Sequence, residues 1–274
     1  DTMFYLFSTN TDREIFRFGR EGRGVCEFYY PFFLVNSFAY DSLIIYDSPA
    51  ATLTKIDLAA LVESRDIAKC VNSEHLYRNL NFMYNFNKID SAFIGTFIEK
   101  DEGLFSFCNR NNGEIKNTDY VPYYFYEKGR KDAYCHHVLV SEKDNSIIVP
   151  FKYMNLINCY DLDGNLKVTY ALDWIKEEIN TQIRVDEHTT VTFYRTYATR
   201  NRCYLVWDGH KIEEELRKYP AKIVVMNWQG ELEKVYQLDN FADFIIPDEK
   251  QRMIYVGVYN AGLEFVEIYK YPML

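Results

Sequence analysis

The adjacent histidines His136 and His137 are the first residues whose type suggests chemistry, because imidazole serves both as a metal ligand and as a general base. Neighbouring residues of a strand point to opposite faces of a sheet, so the two rings cannot both reach one ion from a regular strand. No Cys, Asp or Glu follows at metal-ligand spacing. The sequence therefore predicts no metal and no cofactor, with a distorted loop at this pair as the alternative.

A glycine-rich stretch at residues 17–28 (RFGREGRGVCEF) suggests a loop that could bind phosphate. Phosphate-binding loops lead into a helix whose first N–H groups hold the anion. Here the following residues 28–35 are aromatic and typical of a strand, so a connection between strands is predicted instead. Arg17, Arg20 and Arg23 could still form an anion-binding rim, or they could be solvated arginines.

Other candidate chemistry is sparse. The acidic clusters lie in turns or polar stretches, and no G-x-S-x-G nucleophile motif occurs. Residues 161–164 (DLDG) contain two acids and fit a hairpin turn better than a calcium loop. Tyr124 belongs to an aromatic run at residues 123–126 that could contact a carbohydrate or a peptide. These residues do not form a recognisable catalytic set.

Composition limits the possible partners. The chain has 274 residues and a formal net charge of −9, which disfavours nucleic acid as the main partner. The nearest two of its six cysteines, Cys135 and Cys159, are 24 residues apart, so no paired metal or redox motif is present. Most of the cysteines are predicted to be buried thiols. No apolar stretch is long enough to span a membrane.

A loosely repeated unit predicts the architecture that must position these residues. The unit is an apolar strand, a tight polar turn and an alternating strand, and it recurs about six times, most clearly at residues 156–172 and 222–238. A ring of such units predicts one all-β domain over residues 1–274, a six-bladed β-propeller of four-stranded antiparallel blades. Residues 58–71 and 210–218 predict short helices between strands. An irregular β-sandwich with a second domain is the alternative.

The ends of the pattern are uneven. The first unit shows two strands and the sixth shows three, and the sequence opens directly on strand-like residues 3–8. We therefore expect the first blade to be incomplete at the N-terminus and a further segment to precede this sequence.

Four segments resemble the TolB-like six-bladed propellers common in Bacteroidetes. They are residues 17–28, 92–113, 221–239 and 246–271. Two departures are visible: residues 24–27 (GVCE) lack the family's Pro and one Gly, and Asn227 stands where the family usually has Asp. The resemblance implies the propeller fold and an extracytoplasmic address, in the periplasm or lipid-anchored at the cell envelope.

The resulting functional hypothesis is a non-catalytic binding scaffold. Its partner is expected to be a protein, a small molecule or a carbohydrate, and the sequence leaves the choice among them open. We expect a monomer that binds through the loops at one mouth of the propeller channel. The candidate binding residues are Arg20, Arg23, Glu27, Tyr124, His137 and Arg195. The alternatives are a propeller hydrolase or lyase, using His137, Arg195 and Glu27 at the central channel, and a structural module of an envelope assembly.

Overall fold

The computed structural model describes residues 2–8, 10–11, 13–34, 41–97, 103–121, 134–172, 185–214, 219–260 and 265–273. The chain divides into two compact units. The first comprises Asp1–Lys100 and Ser106–Lys116, and the second comprises Asp101–Phe105 and Asn117–Leu274. The prediction of one domain over residues 1–274 stays a prediction.

The first unit begins with two small pairings. Strands β1 (Phe4–Phe7) and β2 (Glu14–Phe18) form an antiparallel hairpin. Strands β3 (Arg20–Glu21) and β4 (Glu27–Phe28) form a two-residue parallel pair.

Two four-stranded antiparallel blades complete the first unit. Blade 1 consists of β5 (Pro31–Phe33), β6 (Ser42–Asp47), β7 (Thr52–Asp57) and β8 (Val71–His75). Blade 2 consists of β9 (Met83–Lys88), β10 (Ala92–Phe97), β11 (Ser106–Asn109) and β12 (Ile115–Asn117). The turns before β8 and β9 contain α1 (Leu58–Ser64) and the 3-10 helices Ile67–Lys69 and Arg78–Leu80. Asp57 caps α1 by accepting a hydrogen bond from Ala60 N.

The second unit contains three blades. Blade 3 consists of β13 (Leu139–Ser141), β14 (Ser146–Pro150), β15 (Leu156–Tyr160) and β16 (Leu166–Ala171). Blade 4 consists of β17 (Thr190–Ala198), β18 (Arg202–Lys211), β19 (Lys222–Asn227) and β20 (Leu232–Gln237). Blade 5 consists of β21 (Phe244–Asp248), β22 (Met253–Asn260) and β23 (Phe265–Pro272). The first strand of blade 4, β17, lies against both β13 and β21.

The prediction of six blades is wrong, because the described residues form five. The sequence unit at residues 3–18 has the apolar alternation of a blade, but it forms only the β1–β2 hairpin. It is followed by the short β3–β4 pair rather than by further antiparallel strands. The predicted β-propeller class with four-stranded antiparallel blades is confirmed, and a blade count read from alternation alone overestimates by one.

Each unit has its own apolar core between sheets. In the first unit, the rings of Tyr46 and Phe86 from adjacent blades stack with their centroids 4.0 Å apart. In the second unit, buried residues of blades 4 and 5 form one cluster that includes Val206, Ile223 and Ile254. Five of the six cysteines are buried free thiols, which confirms the prediction that most are buried, and Cys135 is exposed.

The turn chemistry of the repeat is also confirmed. Gly113, Gly164 and Gly230 end the predicted hairpin turns with φ values of 71°, 85° and 86°, which glycine adopts without steric cost. The predicted helix at residues 58–71 corresponds to α1 and the 3-10 turn after it. The predicted helix at 210–218 is wrong at its start, because β18 continues to Lys211 opposite Thr190.

Candidate ligand-binding site

The glycine-rich stretch of the first unit folds around its own glutamate. The carboxylate of Glu27 accepts a hydrogen bond from Gly24 N at 2.7 Å and from Arg20 Nε at 2.6 Å. These two donors hold the pKa of Glu27 below its ordinary value. A Cβ on Gly22 would lie 2.1 Å from Glu27 Oε2, so the glycine leaves room for the carboxylate. Arg20 and Glu27 are thus brought together as an internal ion pair.

The neighbouring arginines are also engaged by protein groups. Arg23 Nε donates to the Tyr29 hydroxyl at 2.5 Å, and Arg17 Nε donates to Glu14 Oε1 at 2.9 Å. All three arginines therefore donate hydrogen bonds to side chains of the same segment of the chain. This pairing does not favour the predicted anion-binding rim. Tyr124, another candidate, lies outside the described residues.

The two remaining candidates, His137 and Arg195, meet in the second unit at the backbone carbonyl of Tyr194. His137 Nε2 lies 3.0 Å from this oxygen, and Arg195 Nη1 donates to it at 3.3 Å. A carbonyl only accepts, so Nε2 of His137 carries the hydrogen and its Nδ1 is left as an acceptor in the neutral ring. Arg195 Nε also donates to the Asp243 carbonyl at 2.7 Å, which fixes the guanidinium between blades 4 and 5.

Lys152 joins this pair from the turn after β14. Its Nζ lies 4.9 Å from the ring centroids of both Tyr153 and Tyr194. Thr192 holds the turn in place: its buried hydroxyl lies 2.8, 3.1 and 3.0 Å from the carbonyl oxygens of Phe151, Lys152 and Met154. The position of the lysine is therefore set by hydrogen bonds between blades 3 and 4.

Strand β18 contributes two further titratable side chains, Asp208 and His210. The register between β17 and β18 is interrupted here, and Gly209 adopts a φ of 70°, so the strand bulges between the two residues. Asp208 is 5% exposed and His210 is 2% exposed. Among the described residues, neither carboxylate oxygen of Asp208 and neither ring nitrogen of His210 has a hydrogen-bond partner.

We call His137, Lys152, Arg195, Asp208 and His210 the polar cluster. Burial raises the pKa of Asp208 to about 7, against the opposing effects of Arg195 and Lys152. Burial, with smaller contributions from Arg195 and Lys152, lowers the pKa of His137 to about 4. Burial and Lys152 also lower the pKa of His210. At neutral pH both imidazoles are therefore mainly uncharged, and Asp208 titrates near neutral pH instead of being fully ionised.

The polar cluster can bind through hydrogen bonds and charge. It offers two cations, two neutral imidazoles and a carboxyl group, beside the aromatic ring of Tyr194. Lys152, Arg195 and His137 are half-buried and keep contact with solvent, while Asp208 and His210 lie deeper. In the described part of the chain, no group of three or more His, Cys, Asp and Glu side chains is arranged to hold a metal ion.

Sequence reasoning identified His137 and Arg195 but missed Lys152, Asp208 and His210. Lys152 stands in a turn, where a lysine is ordinary. The sequence does not indicate Asp208 and His210, because residues 210–218 predict a helix and so end the strand before His210, whereas β18 continues to Lys211. The available signal was the alternation of Tyr204, Val206 and Asp208, which places a carboxylate where the next apolar side chain should be.

The blades and the polar cluster describe a β-propeller with a polar, partly buried site. No protein-family model matches the sequence, and a search of curated proteins finds no match. A solved structure does share the fold. A member of the DUF4221 family from Bacteroides vulgatus has a TM-score of 0.54 and 12% identity over 98% of this chain and 86% of that chain.

Two further structures are similar with lower scores. The Cps50 (Swd1) β-propeller domain from Myceliophteria thermophila has a TM-score of 0.49 and 9% identity, over 98% of this chain and 76% of that one. An extracellular domain from B. thetaiotaomicron has a TM-score of 0.45 and 8% identity, over 97% of this chain and 30% of that one. At 12% identity, the DUF4221 structure shows the fold alone. The TolB-like assignment therefore stays a prediction.

Proposed function

We propose that the chain is a non-catalytic binding scaffold and that the polar cluster is its ligand site. The observation that carries the proposal is the burial of four polar atoms, two on Asp208 and two on His210, without a described hydrogen-bond partner. An unpaired buried polar group costs about 1–3 kcal/mol, so native proteins retain such groups where a water, an ion or a ligand completes them.

The surroundings of these atoms support a ligand of limited size. His137, Lys152 and Arg195 converge from blades 3 and 4 on the carbonyl and ring of Tyr194. Hydrogen bonds to Thr192 and to the Asp243 carbonyl hold the backbone of Lys152 and the guanidinium of Arg195 in place without a ligand. Such preorganisation lowers the entropic cost of binding. A small polar molecule or a carbohydrate fits this arrangement better than a flat protein surface does.

A propeller hydrolase or lyase is the second candidate, and one observation favours it. A carboxyl group with a pKa of about 7, as at Asp208, can give or take a proton at neutral pH. If the bound ligand is recovered chemically altered after incubation with the protein, the enzyme replaces the scaffold as the conclusion. Glu27, which was a candidate for this chemistry, is already paired with Arg20.

The proposal includes the address and assembly expected from the sequence: a monomer outside the cytoplasm, at the bacterial cell envelope. The support is the resemblance to envelope-associated propellers. None of the helices in the described residues is long and apolar enough to cross a membrane. The net charge of −9 supports a partner other than nucleic acid.

A ligand screen on the wild type and on His210→Phe tests the proposal. Phe keeps a ring of similar size and removes both unpaired nitrogens. We expect at least one compound from a panel of neutral sugars, sugar acids, amino acids and dicarboxylates to raise the melting temperature of the wild type. That increase should disappear in His210→Phe.

His75→Phe is the matched control, because it makes the same substitution on β8 of the first unit. It should retain the full ligand-induced increase. The proposal is wrong if no compound of the panel raises the melting temperature, or if His210→Phe responds to the same compound as strongly as the wild type does.

A further inference from the structure

Among the described residues of this acidic protein, Lys152 and Arg195 are two cations that form no direct ion pair. No described carboxylate oxygen lies within 4.0 Å of a side-chain nitrogen of either residue. The hydrogen bonds of Arg195 go to the backbone carbonyls of Tyr194 and Asp243. Asp208 acts on Arg195 and Lys152 only through longer-range attraction, which opposes the effect of burial on its own pKa, and forms no direct ion pair with either. The charge of a half-buried cation is stabilised when an anion lies beside it.

The two cations share one aromatic ring. Arg195 Cζ lies 3.7 Å from the ring centroid of Tyr194, and Lys152 Nζ lies 4.9 Å from the same centroid. Both like charges are therefore held within a few ångströms of one ring by the hydrogen bonds around Thr192 and Asp243. An anionic group bound beside the ring would interact favourably with both, and a planar carboxylate matches the fork of the guanidinium.

Asp208 and His210, the deeper residues of the polar cluster, favour hydroxyl groups over an anion. The Asp208 oxygens accept hydrogen bonds when ionised, and a neutral His210 ring both donates and accepts. Hydroxyl groups satisfy all of these atoms, because each can donate and accept. The polar cluster therefore combines two half-buried cations near solvent with deeper groups whose hydrogen bonds hydroxyls would complete.

We infer that the ligand of the polar cluster is an acidic sugar, whose carboxylate binds Lys152 and Arg195 and whose hydroxyl groups bind Asp208 and His210. This inference rests on the proposed function, because it names the ligand class of the same site. The sugar can be a free uronic acid or a uronate residue of an oligosaccharide, and both present the same carboxylate and hydroxyls.

Calorimetric titration of the whole chain with matched sugars tests the inference. D-Galacturonate and D-glucuronate are compared with D-galactose and D-glucose, which differ only in carrying a hydroxymethyl group in place of the carboxylate. We expect at least one uronate to bind about tenfold or more tightly than its neutral parent, as the loss of one charge-assisted contact predicts. Trigalacturonate shows whether a free sugar or a chain is preferred, and either preference supports the inference.

Lys152→Gln isolates the cationic contact. It should weaken uronate binding about tenfold and leave binding of the neutral parent nearly unchanged. Lys222→Gln is the matched control, because the Lys222 ammonium also lies over a ring, at 4.8 Å from the Trp207 centroid, yet belongs to no part of the polar cluster. It should bind the uronate like the wild type.

The outcomes separate the inference from the proposed function. If neutral sugars or other panel compounds bind through His210 and uronates bind no better, the acidic ligand is wrong and the binding scaffold stands. Equal loss of uronate binding in Lys152→Gln and Lys222→Gln would also overturn the inference. If no compound binds at all, both proposals fail.

Discussion

Asp208→Asn should be more stable relative to the wild type at pH 8 than at pH 4. The difference between the two free energies of unfolding should grow by about 4 kcal/mol between these pH values. The reason is the pKa of Asp208, which burial raises from an ordinary 3.8 to about 7 in the folded protein. The carboxylate that forms at pH 8 has no described hydrogen-bond partner. Asn cannot ionise, so the variant avoids this cost.

The direction follows from proton linkage. Below pH 4 the carboxyl group is protonated in both states, and Asp208 carries no ionisation cost. Between pH 4 and pH 7 the unfolded chain loses the proton first, so the folded state becomes relatively less stable as the pH rises. Above pH 7 the difference is constant. A salt-bridged aspartate with a lowered pKa would give the opposite slope.

Urea denaturation of both proteins at several pH values, without ligand, measures this difference. Other titrating groups largely cancel, because they are present in both chains. Asp208→Ala is the control: it should be less stable than Asp208→Asn at every pH but show the same dependence on pH. A wild-type protein that gains stability relative to both variants between pH 4 and pH 8 would contradict the assignment.

Local residue types made the blades of this chain predictable. The glycines of the turns Asp163–Gly164 and Gln229–Gly230, and the alternating strands on either side of them, are properties of a few neighbouring residues. The number of blades depends on which strands pair over long distances. The apolar alternation of residues 3–18 is compatible with either a blade or a hairpin, and pairing alone distinguishes them.

The candidate site was less predictable for a related reason. His137 and Arg195 were selected near strand starts, but their meeting point is a backbone carbonyl, which carries no sequence signal. The turn that carries Lys152 is positioned by the Thr192 hydroxyl, which contacts three backbone carbonyls of residues 151–154. Asp208 is significant because it is buried without a described partner, and burial depends on the packing of whole blades. Conversely, the sequence suggested Arg20 and Glu27 as binding residues, but in the structure they form an ion pair with each other.

Gly209→Ala should lower the free energy of unfolding by at least about 3 kcal/mol, through two separate effects. Gly209 has a φ of 70°, and the left-handed region costs Ala about 1 kcal/mol. The new Cβ would also lie 2.0 Å from Cη2 of Trp207, so the indole must move. That ring lies under the Lys222 ammonium and carries a buried Nε1. Moving it disturbs the bulge that orients Asp208 and His210.

Gly230→Ala separates the two effects. Its φ of 86° imposes a similar backbone cost, but the nearest atom to the new Cβ is 2.9 Å away, on the edge of the Tyr170 ring. Urea denaturation should therefore show a loss of about 1–2 kcal/mol for Gly230→Ala and a clearly larger one for Gly209→Ala. Equal losses would mean that the backbone conformation alone requires glycine at both positions. In that case Trp207 does not constrain the bulge, and a variant of this ring, rather than of the glycine, would be needed to displace Asp208.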